Sequence, residues 1–196
     1  MVVLAGHSYM RRLSWDHQHG VVKHNFGLDQ YALKFVARNG AKTMSFLKDP
    51  SIITSVNPKV VILQIGGNDF SGRPPRDHIH VADDIFTLAT RVGQHPSVQH
   101  VIIGKLFHRA INPTYLPTQD QVDLYNHRVD EINDQLKAQQ TPNISLRHHK
   151  GMTTMAKDIL GEDGTQLNHI GTRKLVQSLR GALIGIHNPS KFPSGG

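Results

Sequence analysis

Lys59-Val60-Val61-Ile62-Leu63-Gln64-Ile65 runs directly into Gly66-Gly67-Asn68-Asp69. The first seven residues are mostly apolar and β-branched with no polar face, the pattern of a strand buried on both sides of a parallel sheet. Two glycines then end the strand in a turn. Three more runs have the same character: Val2-Val3-Leu4, Val98 to Ile103 and Asn143 to Leu146. A further strand falls between Val21 and Val36, where Val22-Lys23-His24-Asn25-Phe26 and Leu33-Lys34-Phe35-Val36 both qualify.

Amphipathic helices separate these runs. One begins at Thr118, with Gln121 completing a capping box and Asp120 and Asp123 near the positive end of the dipole. Its apolar positions Val122, Tyr125, Val129, Ile132 and Leu136 step by three and four, so one face is buried. A second spans Asp77 to Val92, with Ile79, Ala82, Phe86, Ala89 and Val92 expected inward. The last starts near Asn168 and buries Leu175, Leu179, Leu183 and Ile186. Strands alternating with helices imply a parallel sheet covered on both faces, with ligands at the carboxyl ends of the strands.

The chain has 196 residues, enough for one α/β domain. Residues 1–187 are expected to form it, and 188–196, rich in Pro, Ser and Gly, a flexible tail or linker. No apolar run approaches the ~18 residues of a membrane span, and Val2 to Ala5 is too short for a signal peptide, so an intracellular location is expected. Met1 sits directly on the first core strand, as in a domain cut from a longer protein. Without cysteine, disulfides, thiolate nucleophiles and Cys-based zinc sites are excluded. The net charge of +7 admits weak binding to nucleic acid or an anionic membrane surface. Arg11-Arg12 is only a pair, however, and no Lys/Arg run of four supports a dedicated site.

Chemistry should reside in the loops after the strands. Gly6-His7-Ser8-Tyr9 follows the first and exposes a serine at the start of a short helix holding Arg11 and Arg12, where developing negative charge is favoured. Arg38-Asn39-Gly40-Ala41-Lys42-Thr43 offers a glycine that lets backbone approach a ligand. Gly66-Gly67-Asn68-Asp69 places a carboxamide at a strand end. Each of these, taken singly, is also an ordinary cap or turn.

Ser8, Gly40, Asn68 in Gly-Gly-Asn-Asp, and Asp163-Gly164 ahead of the last helix together resemble the ordered blocks of the SGNH (GDSL-like) serine hydrolase superfamily, from Val2 to about Leu183. The resemblance implies an α/β fold, a flavodoxin-like three-layer α/β/α sandwich with a five-stranded parallel sheet. It further implies Ser8 as nucleophile, an oxyanion hole from the Ser8 and Gly40 N–H groups and the Asn68 side chain, and Asp163 to orient the base. Gly-His-Ser stands where many members have Gly-Asp-Ser.

One block departs from the family. Where members have Asp-Gly-x-His-x-Asn, this chain reads Asp163-Gly164-Thr165-Gln166-Leu167-Asn168, with Gln166 in the general base's place. A carboxamide cannot take the serine proton near neutral pH. His169, three residues on, is a possible substitute base, and His148-His149 a more distant one. His17-x-His19 and His78-x-His80 have metal-ligand spacing but no third ligand beside them, so no metal site is expected. Ester hydrolysis on this scaffold needs no cofactor. Phe70, Phe107 and Tyr115 are candidate pocket walls.

Gly-His-Ser-Tyr-Met-Arg-Arg-Leu with Gln-Ile-Gly-Gly-Asn-Asp also resembles the esterase-like domain of some animal non-LTR retrotransposon first-ORF proteins. The expected functions are an acetylesterase- or lysophospholipase-like hydrolase working through an acyl-serine on a small acyl ester, impaired by Gln166; a non-catalytic acyl- or lipid-binding domain; or a nucleic-acid-associated accessory domain.

Overall fold

A computed structural model describes residues 1–71, 77–152 and 156–187. The tail expected from Asn188 onward lies outside them. In chain order the elements are β1 (Val2–Gly6), α1 (Ser8–Gln18), a 3₁₀ turn (His24–Gly27), β2 (Leu33–Ala37), α2 (Thr43–Leu47), α3 (Ser51–Thr54), β3 (Val60–Gln64), α4 (His78–Gly93), β4 (His100–Gly104), α5 (Gln119–Ala138), β5 (Ile144–Arg147), α6 (Ala156–Ile159) and α7 (His169–His187). The five strands pair in the order β2-β1-β3-β4-β5, all parallel. This is the expected flavodoxin-like sheet.

Alternate strand residues feed two cores. Val3, Ala5, Val61, Leu63, Val101 and Ile103 pack under α4 and α5, whereas Val2, Leu4, Val60, Ile62 and Ile102 pack under α1 and α7. Every residue of β1 and β3 is buried, which explains why neither strand shows a polar face. No helix among the described residues is long and apolar enough to cross a membrane.

The two candidates for the uncertain strand are resolved in favour of Leu33–Ala37. Asn25 and Phe26 have φ of 47° and 56°, which no strand accommodates. Asn25 tolerates that conformation, and its Oδ1 accepts from the Leu33 N–H at 3.3 Å, so the loop is tied to the strand it precedes.

α4 differs from expectation in its rotation. Its buried positions are Val81, Ala82, Ile85, Leu88, Ala89 and Val92, while Ile79 is 49% exposed and Phe86 only half-buried. Ile85 and Leu88 define the stripe, and the Ile79–Phe86 line is turned off it. Asp77 caps this helix by accepting from the Ile79 N–H, and Thr118 Oγ1 caps α5 by accepting from the Gln121 N–H.

His149, 1% exposed in the loop after β5, shows how the core handles a polar ring. Gln64 Nε2 donates to the Lys105 carbonyl at 3.0 Å, turning its Oε1 toward His149 Nε2 at 3.2 Å. Arg147 Nε donates to Ser178 Oγ, leaving the serine hydrogen for His149 Nδ1 at 3.0 Å. These bonds select the neutral Nε2–H tautomer. Burial, with Arg147 adding repulsion, holds the His149 pKa down at about 3. The unfolded imidazole titrates near ~6.5, so as pH falls through the window between these values the unfolded state binds a proton that the native state refuses, and stability drops. Chemical denaturation at pH 7 and pH 5 should therefore show a loss in the parent that His149→Gln reduces by roughly 2 kcal/mol, at ~1.36 kcal/mol per pH unit.

Candidate active site

The parallel register sets the stage. β1 pairs with β3 from Val2↔Val60 to Gly6↔Gln64, and with β2 from Val2↔Leu33 to Gly6↔Ala37. The loops that follow all three strands therefore leave from one edge of the sheet. Ser8 is the first residue of α1, Gly40 lies beyond β2 with φ of 65°, and Gly66 lies just beyond β3 with φ of 114°. A Cβ on Gly66 would come within 2.6 Å of Ile85 Cδ1, so both conformation and space require glycine there.

Asp69 clamps two of these loops together. Buried at 3% exposure, its carboxylate accepts from the Thr43 N–H at 3.0 Å and from Thr43 Oγ1 at 3.2 Å. Next to it, Asn68 Nδ2 donates to the Ala41 carbonyl at 3.3 Å. Arg109 Nη2 donates to Asn68 Oδ1 at 2.9 Å. A guanidinium can only donate, so the amide oxygen must face it and the amide NH₂ must face away.

The last loop closes the arrangement. Asp163 is exposed, and its Oδ1 accepts from the backbone N–H groups of Thr165 and Gln166 at 3.0 and 2.8 Å. Asn112 Nδ2 holds the Asp163 carbonyl at 2.7 Å, and Tyr9 donates to the Thr165 carbonyl at 2.6 Å. The loop so held presents Gln166 Nε2 to Ser8 Oγ at 3.0 Å. Gln166 Oε1 is buried and has no hydrogen-bond partner among the described residues.

Ser8, Gly40, Asn68 and Gln166 thus line one cleft of about 450 Å³. Arg12, Asn39, Lys42, Ser71, Arg109, Tyr115 and Thr165 complete its described lining. Asp163 is not in the lining and stands behind it. His169 lines a neighbouring cleft with Trp15 and Val21. Of the expected walls, Tyr115 lines the cleft and is 60% exposed. Phe70 and Phe107 belong instead to the core, the first stacked on Tyr125 and the second packed against Tyr9 and His149. Of the paired histidines, His78 meets Asp77 and Glu131, and His17 accepts from the Asn25 N–H.

Three neighbours escaped the sequence reading. His7, 3% exposed, places Nδ1 3.5 Å from Ser8 Oγ, and burial with the nearby Arg109 charge depresses its pKa to about 3. The ring is therefore neutral and too weak a base to serve the serine well near neutral pH. Arg109 is 4% exposed and lies 4.8 Å over the Tyr125 ring. Tyr125 was legible only as an apolar helix position, yet its hydroxyl donates to the Gly67 carbonyl at 3.0 Å. Burial raises the Tyr125 pKa, so the phenol stays a donor. No periodicity or motif marks Arg109; its role comes from a contact spanning 41 residues.

The fold is shared with solved esterases and lipases. The chain is similar to a GDSL-like lipase from Bacteroides thetaiotaomicron, with TM-score 0.69 and 15% identity over 94% of this chain and 88% of that one. It is also similar to a lipase/acylhydrolase from Enterococcus faecalis (0.67, 16%, covering 94% and 95%) and to a carbohydrate esterase family 3 protein from Talaromyces cellulolyticus (0.62, 16%, covering 94% and 96%). No family model matches the chain, and no curated protein matches it in sequence.

The geometry at Gly66 makes a direct forecast. Gly66→Ala should destabilise the protein by roughly 2–4 kcal/mol, combining a forbidden backbone conformation with the clash against Ile85. The shift of a urea denaturation midpoint at unchanged slope measures it.

Proposed function

We propose that this chain is an SGNH-type serine ester hydrolase scaffold whose turnover is impaired at one position. Ser8 would be the nucleophile, and the Ser8 and Gly40 N–H groups with the Asn68 amide would be the oxyanion donors. Neither N–H has an acceptor among the described residues, as such a role requires. In the reaction, Ser8 Oγ adds to the ester carbonyl, the alcohol leaves with a proton, and water then releases the acid from the acyl-serine.

The observation that carries this reading is the 3.0 Å contact between Gln166 and Ser8 Oγ. A side chain from the Asp163 loop within hydrogen-bond reach of Ser8 Oγ supports reading position 166 as the one a triad would give to an imidazole. Whichever end of the carboxamide faces the hydroxyl, it cannot store the serine proton near neutral pH. Loss of a triad histidine lowers turnover by about 10⁶, while the oxyanion hole and binding retain ~10³–10⁴ over water. A cleft that holds an acyl ester and converts it very slowly is the consequence. The same residue favours a second reading, a ligand-binding domain with no catalytic duty. His169 is a poor substitute base on this account, since it is exposed on the neighbouring cleft.

Restoring the base tests the proposal. Asp163 Oδ1 already holds the backbone at positions 165 and 166, and Oδ2 makes no hydrogen bond among the described residues, leaving it for an imidazole N–H. Hydrolysis of 4-nitrophenyl acetate should be very slow in the parent, about 10³-fold or more faster in Gln166→His, and lost again in Gln166→His with Ser8→Ala. A fast parent silenced by His169→Ala would overturn it. No gain in a folded Gln166→His variant would leave only the ligand-binding reading.

A further inference from the structure

The cleft at Ser8 is unusual in what it lacks. Its described lining contains no aliphatic side chain and no Asp or Glu, and Tyr115 is its one aromatic. Long acyl chains need apolar walls to leave water, so this lining suits a small polar ligand. It also holds three cations: Arg12, Lys42 and Arg109.

Arg109 makes this more than a basic rim. A guanidinium that is 4% exposed has lost most of its hydration, which costs several kcal/mol unless charge or hydrogen bonds compensate. The compensation here is partial. Nη2 bonds Asn68 Oδ1, the Tyr9 side chain is also in hydrogen-bond contact with the guanidinium, and the Tyr125 ring lies beneath. Among the described residues, the buried Nε has no hydrogen-bond partner and no ion pair includes Arg109. The Asp69 carboxylate is held by Thr43, and that of Asp163 by its own loop. A buried, incompletely paired guanidinium on the wall of a cleft whose described lining has no acid is an arrangement that an incoming anion would complete. The planar fork of arginine matches two oxygens of a carboxylate or phosphate.

We propose that the Ser8 cleft binds a small ligand bearing a carboxylate or phosphate, held by Arg109 from the wall and by Arg12 and Lys42 from the rim. Combined with the esterase reading, on which the ester half of this statement rests, the substrate class becomes a short ester that carries its own anionic group. Binding of the anionic group is independent of turnover.

Calorimetric titration of the full chain at low ionic strength tests it, with inorganic phosphate in one arm and succinate in the other. At least one should bind with a dissociation constant of about 1 mM or tighter, and the better of the two identifies the anionic chemistry. Arg12→Gln with Lys42→Gln should weaken that binding by about tenfold or more. Lys34→Gln with Lys137→Gln removes equal charge from exposed positions outside the cleft and should change it less than about twofold. Arg109→Gln should abolish it, and the rim variant decides the matter if that protein does not fold. No binding of either anion, or equal weakening in both double variants, would overturn the proposal. Since this readout needs no catalysis, its failure leaves the Gln166→His experiment untouched, and the reverse holds as well.

Discussion

Parallel pairing of β1 with β3, in register from Val2↔Val60 to Gly6↔Gln64, is the constraint from which the site follows. Both strands are buried along their whole length, so neither can slip without exposing apolar side chains or losing ladder hydrogen bonds. Once that register is set, the loop beginning at His7 and the loop beginning at Ile65 must emerge side by side. β2 on the outer side of β1 adds the Gly40 loop at the same edge. The architecture brings three loops together, but nothing in it orders them.

Order comes from buried polar groups that bridge one loop to the next. Asp69 uses its carboxylate on the backbone and hydroxyl of Thr43, joining the third loop to the second. Arg109 orients the Asn68 amide from below, and Tyr125 supports both Arg109 and the Gly67 carbonyl. Asn112 and Tyr9 pin the Asp163 loop through its carbonyls. Each of these groups would be costly to bury alone, so the network holds the loops in one arrangement or forfeits several hydrogen bonds together. The cleft is therefore preorganised even though the residue facing Ser8 is a carboxamide. Position at residue 166 depends on backbone bonds from Asp163, whereas any proton transfer there would depend on the chemistry of the side chain.

The same separation explains the charge pattern. Arg109 serves Asn68 with one nitrogen, and its Nε has no hydrogen-bond partner among the described residues. A residue needed only to orient an amide would not require a full positive charge in a buried place. Arg12 and Lys42 reinforce that charge from the rim, where they remain hydrated and cost little to keep.

What the sequence determined on its own was local. Runs such as Val60–Gln64 read as buried strands because burial on both faces removes every polar position, and α5 reads as a helix because Val122, Tyr125, Val129, Ile132 and Leu136 obey its period. The order of Ser8, Gly40, Asn68 and Gln166 along the chain was visible too, each at the end of a predicted strand or ahead of a predicted helix. Tertiary structure decided the rest. It chose Leu33–Ala37 over the segment ending at Phe26, where Asn25 and Phe26 turn with positive φ and Asn25 accepts from the first residue of β2. It turned α4 so that Ile85 and Leu88 face the sheet, since two apolar stripes competed in one helix and only packing can choose between them. It carried Arg109 under Asn68 and directed His169 into the neighbouring cleft. Strand and helix signals come from residues within a few positions of one another, while the hydrogen bonds that join the site's loops link residues 26 to 158 positions apart. Periodicity carries no information over that span; only the folded chain brings those atoms within reach.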